Sequence, residues 1–166
     1  MKKISRYICS FMLMLLLLNG CGLNNGGNNS SSHDIFQHKG SVIGDNSAVI
    51  NIIGQLQRNQ EFEELSLETK EKPYGMSIKY GKIDSNITEK EYKETAIHNA
   101  TFLFALIDNA EWVTFDFDDD KYKIDRLQLQ DWYDENLNKF TNEEELETFV
   151  QKTIDENKIN QFFTKS

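Results

Sequence analysis

Four carboxylates crowd one short stretch of the chain: Asp116, Asp118, Asp119 and Asp120. Calcium takes oxygen ligands at alternate positions, and Asp116, Asp118 and Asp120 match the first three ligand positions of a calcium loop. The match then breaks, because Lys121 stands where the loop needs glycine and Leu127 where it needs a bidentate glutamate. A looser cation site at a hairpin tip remains as one reading; the plainer one is a solvated turn in which aspartate suits the backbone. No metal centre is expected. A second group, Gly44–Asp45–Asn46–Ser47, precedes an apolar-periodic stretch. Glycine-led amides at a helix start can hold an anion, which makes Asp45, Asn46 and Ser47 candidate binding residues. Here too the plainer reading is a tight turn, with Asp45 as helix cap. His33, His38 and His98 share no metal-ligand spacing. Serine elbows, phosphate loops and dinucleotide fingerprints do not occur, so neither catalysis nor a cofactor is expected.

One thiol carries clearer chemistry. Met1 to Cys21 divides like an export signal: Lys2, Lys3 and Arg6 first, then an apolar run from Tyr7 to Leu18, then Asn19, Gly20 and Cys21. The run is shorter than the ~20 residues a membrane-spanning helix needs. Its end resembles the lipobox of bacterial lipoproteins, in which Leu, two small residues and Cys direct acylation of the thiol and cleavage before it. Leu18, Gly20 and Cys21 match, and Asn19 departs from the usual small residue. The reading is a signal peptide over 1–20 and palmitate-type acyl chains on Cys21. Buried chains at ~0.8 kcal/mol per CH₂ then anchor the protein on the outer face of a cell membrane. Gly22 to Ser32 (GLNNGGNNSSS) is a flexible tether with an r.m.s. span of ~20 Å. The other cysteine, Cys9, falls inside the leader, so the domain over 33–166 has no disulfide and no thiol nucleophile.

The elements that must position any site follow from periodicity. The expected order is α-β-β-α-β-β-α, an α+β fold with an antiparallel four-stranded sheet and helices mainly on one face. Asp45 caps a first helix with Val49, Ile52, Ile53 and Leu56 on one side. Leu65, Leu67 and Thr69, then Tyr74, Met76, Ile78 and Tyr80, alternate with polar residues across a turn at Lys70–Pro73, which reads as a hairpin. Thr88 and Glu91 form a capping box that opens the longest helix, to Asn109, apolar almost all round and therefore central. Val113, Phe115 and Phe117, then Tyr122 and Ile124, form a second hairpin. The chain ends in helix, in one piece or two, with a capping box at Thr141 and Glu144. Each hairpin has one polar face, so one side of the sheet stays open. It shows Glu64, Ser66, Glu68, Ser77, Lys79, Thr114, Asp116, Lys121, Lys123 and Asp125. Strand order is not readable from the pattern.

Three stretches are distinctive: Phe36 to Val49 (FQHKGSVIGDNSAV), Glu71 to Met76 (EKPYGM) and Phe104 to Asn109 (FALIDN). Together they resemble a bacterial domain of unknown function, number 4825, over roughly Ile35 to Tyr133. Members look like single-domain lipoproteins, or like extracellular modules of membrane metallopeptidases of the β-lactam-sensor type. The resemblance implies an extracytoplasmic module with a role in sensing and supplies no catalytic residues. The Asn- and Lys-rich composition leans toward a Gram-positive source.

Removing a leader with three cations and no acid takes the formal charge from −9 to −12. That repels nucleic acid and anionic headgroups and tolerates basic partners. The functional expectation is a non-catalytic binding or sensing module of the cell envelope, working through a membrane or envelope protein partner. Two alternatives stand beside it. One is a carboxylate-dependent hydrolase, although no spacing selects a pair of acids. The other is a small-ligand binder lined by Trp112, Trp132, Tyr133, Phe162 and Phe163, which more often would be core. Replacing Cys21 with Ala is expected to release the protein or leave its leader uncleaved, as read by membrane fractionation and N-terminal mass. An alanine variant that matures and stays membrane-bound would contradict the lipoprotein reading.

Overall fold

A computed structural model describes residues 34–81, 87–117, 120–154 and 156–164. Cys21, the leader and the tether therefore lie outside the described residues, as do Asp118 and Asp119. Alternating sequence yields four strands: β1 (Phe62–Glu68), β2 (Gly75–Tyr80), β3 (Trp112–Phe117) and β4 (Asp120–Asp125). Helical spacing yields α1 (Asn46–Ile53), α2 (Glu89–Leu106), α3 (Arg126–Tyr133), α4 (Glu143–Thr153) and α5 (Glu156–Thr164). Among the described residues the result is a mixed α/β architecture with five α-helices and one sheet of order β1-β2-β3-β4.

Each hairpin is antiparallel, as its short turn requires. The centre of the sheet corrects the expectation of a wholly antiparallel one: β2 and β3 run parallel, in register from Gly75–Trp112 to Tyr80–Phe117. The reason is α2. A helix inserted between two strands carries the chain back along the sheet, so the second strand starts where the first did.

Period two sorts the side chains into two faces. On one, Leu65, Ile78, Phe115 and Tyr122 form a row across the four strands, and Leu67, Met76, Val113 and Ile124 form the next. The members of these rows on β2, β3 and β4 are buried. They lie in one cluster with Val49, Ile52 and Ile53 of α1 and with the apolar residues of α2. Leu146, Val150, Ile159 and Phe162 of α4 and α5 are buried in the same cluster.

Helix α2 opens as its sequence demands. Thr88 accepts from the amide of Glu91, whose carboxylate accepts from the amide of Thr88 at 2.8 Å. From Thr95 to Leu106 every residue is buried, so each polar group needs an internal partner. Asn99 Nδ2 donates to the Gln57 carbonyl at 2.9 Å and to the Tyr80 hydroxyl at 3.0 Å, and Asn99 Oδ1 accepts from the Gln57 amide. Burial pushes the Tyr80 phenol up to about 12. Thr101 donates to the Ile97 carbonyl, and its hydroxyl lies 2.9 Å from that of Tyr133. His98 Nε2 lies 2.8 Å from Glu147 Oε2, joining α2 to α4.

The end of α2 is closed from two directions. Gly40, in the left-handed region at φ +83°, and Ser41 both direct their amides at the Leu106 carbonyl. Lys39 Nζ reaches the Ala105 carbonyl at 3.3 Å. The Arg126 guanidinium donates to the carbonyls of Phe104 and Ala110, each at 2.6 Å, and to that of Ile107. Ile107 donates to Leu103, so the last four helical carbonyls all have partners.

After α2 the boundaries differ from expectation in detail. The terminal region forms three helices, α3 to α5, with a 3₁₀ turn at Leu137–Lys139. Asn142, one residue after the expected Thr141, caps α4 by accepting from the Glu145 amide at 2.9 Å. Asparagine is the stronger cap of the two.

Candidate functional site

The outer face of the sheet is a polar surface four strands wide. Strand pairing aligns Glu64, Lys79, Asp116 and Lys121 in one row, Ser66, Ser77, Thr114 and Lys123 in the next, and Glu68, Gly75, Trp112 and Asp125 in the third. All ten residues expected on the open face stand there, exposed or half-buried. A bulge between Phe62 and Glu64 also turns Glu63 toward it. Signs alternate along the first row, and the lysines are paired: Lys79 with Glu63 at 2.7 Å, Lys121 with Asp116 at 2.7 Å, Lys123 with Asp125 at 3.5 Å. The hydrogen bond to Glu63 holds the Lys79 ammonium above its ordinary range. Exposed pairs of this kind are screened by water and contribute little to stability, so they organise the face more than they stabilise the fold.

Trp112 is the aromatic residue of this surface. Its indole lies flat on the bare backbone of Gly75, and its Nε1 donates to the Pro73 carbonyl at 3.0 Å. A Cβ on Gly75 would fall 2.1 Å from Trp112 ring carbons. Lys123 Nζ sits 5.4 Å from the ring centroid. The other aromatics named as pocket lining lie elsewhere: Trp132 packs on Tyr133 at 4.7 Å and on Phe162 at 5.4 Å, and Phe163 meets Tyr122 at 5.1 Å. The structure thus splits that set across both sides of the sheet.

At the candidate anion site the cap expected of Asp45 is formed. Asp45 Oδ1 accepts from the Ala48 amide at 3.0 Å, while Asp45, Asn46 and Ser47 are exposed. Of the candidate cation ligands, Asp116 is engaged with Lys121 and points to the open face, and Asp120 opposes Phe117 at the start of β4. Among the described residues no three His, Cys, Asp or Glu side chains converge as a metal site. One open cleft of about 340 Å³ does gather carboxylates, being lined by Gln130, Asp131, Asp134, Glu135 and Asn136. Lys139 holds Glu135 below the ordinary carboxylate range, the opposite direction from a general acid.

Two of the three distinctive stretches, those at 36–49 and 104–109, meet at the end of α2. Lys39, Gly40 and Ser41 bond to Ala105 and Leu106, Ser41 accepts from Asp108, and the Asn109 side chain accepts from the Ile43 amide at 2.7 Å. The family model described as a domain of unknown function, DUF4825, matches residues 35–127. The chain belongs to this family. No curated protein and no solved structure matches it. The DUF4825 match stops at Leu127, short of the Tyr133 to which the resemblance was expected to reach. It includes both hairpins, α1, α2 and Arg126, and leaves out α4 and α5, whose apolar residues complete the core. Arg126 is what residue reading missed. Its signal was scarcity: the chain has fifteen lysines and three arginines, and a guanidinium spreads five donors over a rigid planar fork that suits carbonyls lying apart.

Replacing Gly75 with Ala is expected to displace the indole and cost about 1–3 kcal/mol in urea unfolding. Adding Trp112→Ala should recover most of that loss. A Gly75→Ala protein as stable as the parent would show that the ring does not rest on the glycine.

Proposed function

We propose that this protein is a lipid-anchored, extracytoplasmic module that binds a protein partner of the cell envelope through the open face of its sheet, without chemistry of its own. The observation that carries the reading is the contrast between the two faces. One is buried under helices; the other presents charged and hydroxyl rows and one flat indole over four strands. Electrostatic patterning of this sort supplies register and partner choice more than raw affinity, and an indole supplies contact area at small entropic cost. The lipobox-like Leu18–Cys21 segment and the short tether would keep the domain at the membrane, where a sensing role passes through the partner. Membership of a family with no assigned activity is compatible with that role and adds no residue to it.

The test is in-cell photo-cross-linking from Ser77 and Thr114 on the open face, with exposed Asn51 and Gln151 as controls. One discrete adduct from the face positions, absent from the controls, is the expected result. The same mixture of adducts from all four positions would defeat the proposal.

A further inference from the structure

The two edges of the sheet are finished differently. At β4, α2 packs across the strand, Phe163 of α5 lies against Tyr122, and Ile124 is fully buried. The same edge carries Lys121 and Lys123, the residues that most often discourage strand addition. At β1 the helical cover stops short. Leu65 and Leu67 are only half-buried, although their row neighbours Ile78, Phe115, Met76 and Val113 are fully buried. No strand lies beyond β1 among the described residues, so one side of its backbone has no ladder partner. The bulge that could twist this edge away is confined to its first residues, and Leu65 to Glu68 pair regularly with β2.

We infer that β1 accepts an extended, basic segment of a partner protein as a fifth strand. Such a segment supplies the missing backbone hydrogen bonds, and its alternate side chains reach two different faces. On the inner face, apolar residues would finish the burial of Leu65 and Leu67. On the outer face the local charge selects their neighbours: β1 reads FEELSLE, three acids and no base. Lysine or arginine at the outward positions faces Glu64 and Glu68, an arrangement that opposite-charge cross-strand pairs favour. A second copy of this chain would bring three more acids to the same edge, and like charges set opposite one another are unfavourable. The chemistry therefore points to an alternating basic and apolar strand. This rests on the reading of the sheet as the binding element and adds the class of partner it takes.

The experiment uses the full-length chain in detergent with an alternating Lys-Val octapeptide, a Glu-Val octapeptide, and the Lys-Val peptide N-methylated at alternate residues. Binding is followed by fluorescence anisotropy and by amide exchange. The Lys-Val peptide should bind and slow exchange at 62–68, and alternate N-methylation, which removes the donors of one strand edge, should abolish binding. In the Glu64→Lys/Glu68→Lys variant, whose substituted positions are exposed, Lys-Val affinity should fall about tenfold and the Glu-Val peptide should become the better ligand. If that variant misfolds, Glu64→Gln/Glu68→Gln should show the same loss without the reversal. No binding, binding indifferent to N-methylation, or a chain that dimerises through β1 would each overturn the inference. Peptide binding without a cross-linked partner would leave the edge standing and remove the cellular function; the converse would remove only the edge.

Discussion

A helix whose last turns are buried cannot leave its final carbonyls empty, and this is the condition on which the fold turns. Four acceptors at the end of α2 lie in a buried end of the domain, each costing about 1–3 kcal/mol if unpaired. One is met by the Ile107 amide; the other three are met by Lys39, Gly40 and Ser41 on one side and Arg126 on the other. Those donors come from the segment before α1 and from the first residue of α3. Closing the helix therefore fixes where the chain enters the domain and where the second hairpin ends. The guanidinium also lies over the Phe104 ring, 5.0 Å from its centroid. Desolvation lowers Arg126 to about 10, with Asp108 and Glu111 pulling the other way, so it stays charged at neutral pH. A cation at a helix C-terminus is favourable in its own right.

From that closure the sheet follows. With α2 fixed between the hairpins, β2 and β3 run parallel, and the strands present their apolar rows to the same side of the sheet. Among the described residues the opposite rows have no cover of their own, and the charged and hydroxyl residues on them are those a wet surface allows. The location of the proposed binding surface is in this sense a consequence of where one buried helix had to go. The same helix, by lying over β3 and β4 rather than β1, leaves Leu65 and Leu67 half-covered.

Much of this was legible in the residues. Alternation assigned the side chains of both hairpins to their faces, and Asp45 and the Thr88–Glu91 box marked two helix starts, because each signal is local and has one dominant physical cause. The direction of β2 against β3 was harder. Pattern within a strand says which face is buried and nothing about its neighbour; the clue lay in the helix between them. The purpose of the Lys39–Ser41 and Phe104–Asn109 stretches was hidden for a similar reason. They act on one another across more than sixty residues, and distinctive composition looks the same whether it serves a ligand or a helix end. Asp45, Asn46 and Ser47 illustrate the point, since Asp45 is spent on capping α1.

The decisive measurement is the urea unfolding free energy of Arg126→Met and Arg126→Lys. Methionine removes a desolvated charge, which by itself can be neutral or stabilising, but it also strips three carbonyls of their donor. If closing α2 is what the fold depends on, Arg126→Met loses about 3 kcal/mol or more, and Arg126→Lys recovers only part of it because an ammonium lacks the fork. A methionine variant as stable as the parent would contradict the account.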